Sequence, residues 1–129
     1  MSDGGVSVIL RSDDYESAHY GLALAAAALA VNKPAVLFFT MGGIRALTGP
    51  PAALKDWDRD ALNRERGVGD FETLLQACVE LGCRFIVCEM GLRSLDIDRA
   101  SLRTDVPFTI AGIVTLLEET KPGMHLLTL

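Results

Sequence analysis

The chain is poor in the features that most directly assign a chemistry. It holds two histidines and one tryptophan, and aromatic residues make up only 6% of it. There is no C-x-x-C pair, no G-x-G-x-x-G and no G-K-[ST], which excludes a thioredoxin-type dithiol, a dinucleotide fingerprint and a P-loop. Basic residues are too few for a nucleic-acid face: 12 Lys and Arg stand against 17 Asp and Glu, for a net charge of −5 and a pI near 4.9. Such a surface needs clustered cations. The Ala- and Leu-rich stretch Gly21 to Val31 falls short of the about 20 apolar residues that span a bilayer, so no membrane partner is expected. Met1-Ser2-Asp3-Gly4-Gly5 has neither the basic nor the apolar region of a leader. The three cysteines are an odd number. Together these predict a cytoplasmic, reducing setting with free thiols. There is no internal repeat, low-complexity tract, linker or N-glycosylation sequon.

What is present is a globular composition, 50% hydrophobic and 22% charged. One domain over 1–129 is long enough to bury a core without disulfide or metal, and no cofactor is expected. Val6 to Leu10 reads as a first strand. Ser12, Asp13 and Asp14 are helix-capping types ahead of a helix from Tyr15 to Asn32, with Glu16 in its first turn and Pro34 as its stop. Ala35 to Phe39 is a second strand, followed by a flexible turn, Thr40-Met41-Gly42-Gly43. From Ile44 to Gly69 the pattern loosens into a short helix, a loop around Pro50-Pro51 and a solvated helix over Asp56 to Arg66, expected to form a lid. Phe71, Leu74, Leu75, Cys78 and Leu81 recur at helical spacing, and Gly82 caps that helix. Strands follow at Phe85 to Cys88, Pro107 to Ile110 and Met124 to Thr128, with weak helix over Asp96 to Leu102 and a helix over Ile113 to Glu119. This alternation predicts an α/β fold, a five-stranded, mainly parallel sheet in three α/β/α layers joined by right-handed crossovers.

Cys88 combines nucleophilic chemistry with position. It closes the run Arg84-Phe85-Ile86-Val87-Cys88 at the carboxyl end of a strand, the edge where open α/β sheets place ligands. A helix opening near Gly91 would aim free N–H groups at this edge. The spacing of the other cysteines argues against a shared site. Cys83 and Cys88 lie roughly 16 Å apart along an extended strand, and Cys78, on a helix about 10 Å from the sheet, is out of disulfide reach of either. Cys78 shares its helix face with Leu74, Leu75 and Leu81 and reads as a small hydrophobe. His19 and His125 have no evident partners. Asp56, Asp58 and Asp60 with Arg59, Arg64 and Arg66 read as a solvated face. The pocket around Cys88 is expected to be lined by Asp13, Asp14, Tyr15, Thr40, Met41, Gly42, Gly43, Glu89, Met90 and Gly91, with no metal.

Several segments together resemble the DsrE/DsrF-like family of small sulfur-relay proteins, including its peroxiredoxin-labelled branch. They are the helix Ala18 to Val31 followed by Pro34-Ala35-Val36-Leu37-Phe38-Phe39-Thr40-Met41-Gly42-Gly43; the stretch Leu81-Gly82-Cys83-Arg84-Phe85-Ile86-Val87-Cys88-Glu89-Met90; and Gly91-Leu92-Arg93-Ser94-Leu95-Asp96-Ile97. Asp96 stands where the family usually has glycine. The resemblance covers nearly the whole chain, least well over Pro50 to Gly67. It implies a persulfide-carrying role for Cys88, sulfur donor and acceptor proteins as partners, and a homo-oligomer, commonly a trimer or hexamer. Two rivals remain: an oligomeric module in which Cys88 is packing and the pocket binds a protein or small metabolite, and a thiol peroxidase. The second lacks a Pro-x-x-x-[Thr/Ser]-x-x-Cys element ahead of Cys88.

Overall fold

The computed structural model describes residues 4–129; Met1 to Asp3, part of the segment read for a leader, lie outside the described residues. Five strands, β1 (Val6–Leu10), β2 (Ala35–Phe39), β3 (Arg84–Cys88), β4 (Phe108–Ala111) and β5 (His125–Thr128), form one sheet in the order β4-β3-β2-β1-β5. Every pairing is parallel. The helices are α1 (Tyr15–Ala30), α2 (Arg59–Glu65), α3 (Phe71–Glu80), α4 (Glu89–Ser94) and α5 (Ile113–Glu119). No helix among the described residues is long and apolar enough to cross a membrane.

Side chains alternate between the two faces of a strand, and here the faces are unequally covered. Val8, Leu10, Leu37, Phe39, Phe85 and Val87 belong to a large buried cluster with Leu22 and Ala25 of α1 and Leu75 and Cys78 of α3. The residues between them, Val36, Phe38, Ile86 and Cys88, form a smaller cluster whose only buried helical member is Leu116 of α5. Topology explains the imbalance. The chain steps from β1 through β4 in one direction and then returns past β1 to place β5. Right-handed crossovers that reverse direction change face, so α5 lies alone on the second one. Two polar contacts add to its docking: Arg84 grips Glu119 through Nε and Nη2 at 2.6 and 2.9 Å, and Thr120 Oγ1 donates to Ser7 Oγ at 2.8 Å.

Acidic caps start the two long helices as expected: Asp14 accepts from the Ser17 N–H, and Asp70 from that of Thr73. The Thr73 hydrogen bonds and the Arg64 guanidinium hold the Asp70 carboxyl down at about 2. Helix ends are set by backbone geometry. After α1 the chain turns at Asn32, two residues before Pro34, with the Lys33 N–H returning to the Ala28 carbonyl at 2.9 Å. The same reversal closes α2 at Gly67, α3 at Gly82 and α4 at Asp96. In each, a residue with positive φ lets the next N–H reach back to the carbonyl five positions earlier.

Three segments differ from the sequence reading. Thr40 to Gly43 is no flexible turn: Met41–Leu47 is a run of 3₁₀ helix with Gly43, Ile44, Ala46 and Leu47 buried. Asp96 to Leu102 holds only a 3₁₀ turn at Arg99–Ser101. The charged stretch around α2 is pinned instead of solvated throughout, because Asp60 is buried. Its carboxylate accepts from Tyr15 Oη at 2.6 Å, the Phe71 N–H at 2.8 Å and Arg64 Nη2 at 3.0 Å. Asp60 escaped notice because its helix is charged on both sides, and only the tertiary partner Tyr15 reveals which carboxylate turns inward.

Candidate functional site

β3 is a central strand, and its last residue, Cys88, pairs in register with Ala111, the last residue of β4. The connection leaving β3 sends Leu92, Leu102 and Val106 into the cluster on the first face. The connection leaving β4 runs through Gly112 into α5 on the second face. Open α/β sheets bind ligands outside the carboxyl ends of their strands, and Cys88 lies at that edge. The strand order reverses between β1 and β5, two strands away from β3, so Cys88 is on the ligand-bearing edge but not at the reversal itself. That strand order is not readable from a single sequence.

α4 begins at Glu89, earlier than expected, so Cys88 itself is its N-cap residue, in extended conformation and without a side-chain capping bond. The Thr40 segment packs closely on α4. A Cβ on Gly91 would lie 2.5 Å from the Met41 nitrogen and 3.1 Å from Thr40 Oγ1, so glycine is what allows this approach. On the other side, a Cβ on Gly43 would meet the Leu10 carbonyl oxygen at 1.9 Å, and one on Gly42 would touch Asp13. Thr40, Met41, Gly42, Gly43, Gly91 and Asp13 are thus packed together at the carboxyl edge. Glu89 and Met90, with Arg93 and Ser94, line an open depression of about 430 Å³ next to Cys88 in the chain.

Two expected lining residues are elsewhere. Tyr15 belongs to the first-face cluster and Cys88 to the second, so the sheet stands between them. Tyr15 spends its hydroxyl on Asp60 and stacks against His19, and burial followed by the Asp60 contact pushes its pKa above the ordinary phenol range. Asp14 is occupied in capping α1. His19 bonds the Gly69 carbonyl at 2.8 Å and lines a separate depression with Tyr15. No group of side chains among the described residues could hold a metal ion.

The Cys88 side chain is 0% exposed, so the strand end does not give direct access to its sulfur. Its place in the strand alternation turns it to the second face, beneath Leu116 of α5 and beside its β4 neighbour Ala111.

The other cysteines correct the sequence reading. Cys78 and Cys83 are not held apart: the Cys83 N–H donates to the Cys78 carbonyl at 2.9 Å, and both residues are buried in one cluster. The helix cap folds Cys83 back onto α3, where counting along an idealised strand keeps it away. All three cysteines are free thiols. Asp96 has a φ of 51°, the left-handed conformation that glycine adopts most easily and aspartate tolerates. The usual glycine there is a helix-end requirement, and Asp96 meets it.

An all-parallel five-stranded sheet flanked by helices places the chain among small three-layer α/β proteins. The chain matches the DsrE/DsrF-like family over residues 5–129 and belongs to it. Sulfur relay is the general setting that this membership suggests. No curated protein matches the chain at a significant level.

Proposed function

We propose that this protein binds and relays sulfane sulfur as a persulfide on Cys88. The observation that carries the reading is a cysteine as the last residue of an interior parallel strand, at the carboxyl edge of the sheet, in a chain of the DsrE/DsrF-like family. Thiolate is the nucleophilic form of cysteine. The Cys88 sulfur attacks the outer sulfur of a donor persulfide; the donor S–S bond breaks, a new one forms on Cys88, and the donor leaves as its thiolate. Transfer to an acceptor thiolate repeats the step with Cys88 as the leaving group. Each exchange conserves electrons and needs no cofactor. Cys88 is buried, so sulfur uptake proceeds through a local opening around it, and such openings cost less than global unfolding. A reducing compartment such as the cytoplasm suits this chemistry.

Incubating the intact protein with inorganic polysulfide tests the reading. A mass gain of about 32 Da per sulfur is expected on the peptide that holds Cys88. No gain with any persulfide or polysulfide donor would leave Cys88 a core residue and overturn the proposal.

The same reading includes self-association, as a trimer or hexamer. The exposed apolar side chains that support an interface are Val114 and Leu117 of α5 with Leu126 of β5, whose register partner Ser7 lies on the same face. Contiguous exposed apolar area marks association surfaces, and a second copy of this chain is the occupant proposed. Sedimentation equilibrium is expected to give a multiple of 13.9 kDa, and Leu117→Glu to lower that multiple. A wild-type monomer at micromolar concentration would refute it.

A further inference from the structure

Cys78 and Cys83 take no part in the chemistry placed at Cys88, yet they are built into one local device. α3 ends in a backbone reversal in which the Gly82 N–H donates to the Val79 carbonyl at 3.2 Å and the Cys83 N–H to the Cys78 carbonyl at 2.9 Å. Gly82, with φ +84°, supplies the left-handed residue this needs. Such a cap brings the side chain just beyond the glycine against one in the last helical turn. The contact is ordinarily between two hydrophobes; here both members are cysteine. With standard bond lengths, the 2.9 Å hydrogen bond holds the two Cα atoms within about 6.8 Å of each other. That lies inside the span a disulfide bridges.

The side chains agree with the backbone. Each thiol reaches a backbone carbonyl: Cys78 that of Leu22 at 3.4 Å, Cys83 that of Ala35 at 3.6 Å. The neighbouring Cys83 thiol draws the Cys78 thiol down, while the same proximity and burial push Cys83 up. Cys78 is thus the member that ionises first, with a thiol poised beside it.

We propose that Cys78 and Cys83 form a redox site that low-molecular-weight disulfides oxidise to an intramolecular disulfide. Cys78 is buried, so the reagent reaches it when the last turn of α3 opens locally; the Cys78 thiolate then attacks one sulfur of RSSR, forming a mixed disulfide and releasing one thiolate. Cys83 then loses its proton to solvent and attacks the Cys78 sulfur, releasing the second. Two protein thiols are oxidised and RSSR is reduced to two RSH. The bond ties the last turn of α3 to the residue that opens into β3.

Trypsin separates this site from Cys88. Cleavage after Arg66 and Arg84 puts Cys78 and Cys83 together on Gly67–Arg84, and Cys88 falls on Phe85–Arg93. The full-length protein is incubated with oxidised glutathione under native conditions, then denatured, alkylated and digested. The Gly67–Arg84 peptide is expected to lose about 2 Da and take up no alkyl group, in the wild type and in Cys88→Ser alike. Cys83→Ser and Cys83→Ala should both abolish that loss. Two outcomes overturn the proposal: both cysteines of the wild-type peptide fully alkylated or glutathionylated, or a cross-link joining that peptide to Phe85–Arg93. Because the readouts fall on different peptides, sulfur uptake at Cys88 and oxidation of this pair fail or succeed separately.

Discussion

Cys88→Ser is expected to abolish sulfur uptake while leaving the fold and its assembly in place. Serine is close to cysteine in size, so the cluster of Val36, Phe38, Ile86 and Leu116 keeps its shape. A hydroxyl in that cluster needs a hydrogen-bond partner, and its burial costs about 1–3 kcal/mol without one. This lowers the denaturation midpoint without unfolding the protein at ambient temperature. The chemical effect is far larger, because a hydroxyl cannot hold a sulfane sulfur. The mass gain seen with polysulfide should vanish from Phe85–Arg93 and not move to Gly67–Arg84. Cys78→Ala supplies the contrast: it keeps the gain and loses only core packing, on the order of 1–2 kcal/mol for a small side chain. Sulfur retained by Cys88→Ser would place the carrier elsewhere and defeat the assignment.

Asp60→Ala is expected to be the most destabilising surface-helix substitution in the chain, at about 3 kcal/mol. The carboxylate accepts from the Tyr15 hydroxyl, the Phe71 N–H and Arg64. Removing it strands two buried donors, each worth about 1–3 kcal/mol when left unsatisfied. Tyr15 retains the Asn63 amide, which donates to its oxygen at 3.2 Å, but loses the acceptor for its own proton. The aromatic set of Tyr15, Trp57 and Phe71, whose neighbouring ring centroids lie 5.5 and 5.3 Å apart, then loses the peg that joins α1, α2 and the start of α3. Asp58→Ala, on an exposed neighbour, should change stability by no more than about 0.5 kcal/mol. Urea denaturation of the two variants side by side decides the matter, and equal midpoints would remove Asp60 from this role.

Much of the fold is legible in the sequence because the strands are buried and nearly continuous in apolar residues. Val6 to Leu10 and Ala35 to Phe39 are found where they are expected, as is α5 from Ile113 to Glu119. What escapes is whatever depends on the third dimension. Thr40-Met41-Gly42-Gly43 looks flexible by composition, yet its glycines serve close packing against Leu10 and Asp13. Tyr15 sits near the strand-end residues in sequence, but the sheet's thickness separates it from Cys88. The distance assigned to Cys78 fails because a glycine cap reverses the chain in a way that helix and strand spacings do not describe. Gly82 ahead of a second cysteine carried that signal.

The dense packing around Cys88 has a consequence for what a loaded carrier looks like from outside. Side chains there fill their space, and a core that gains an atom pays in displaced neighbours, typically about 1–3 kcal/mol. A persulfide adds one large atom to the sulfur, and the sheet beneath it cannot yield. The neighbour that can is α5, held to the sheet by one buried leucine and two polar contacts near its far end. An empty and a charged molecule would therefore differ in the contour of their outer helix, giving a partner a shape by which to tell one from the other.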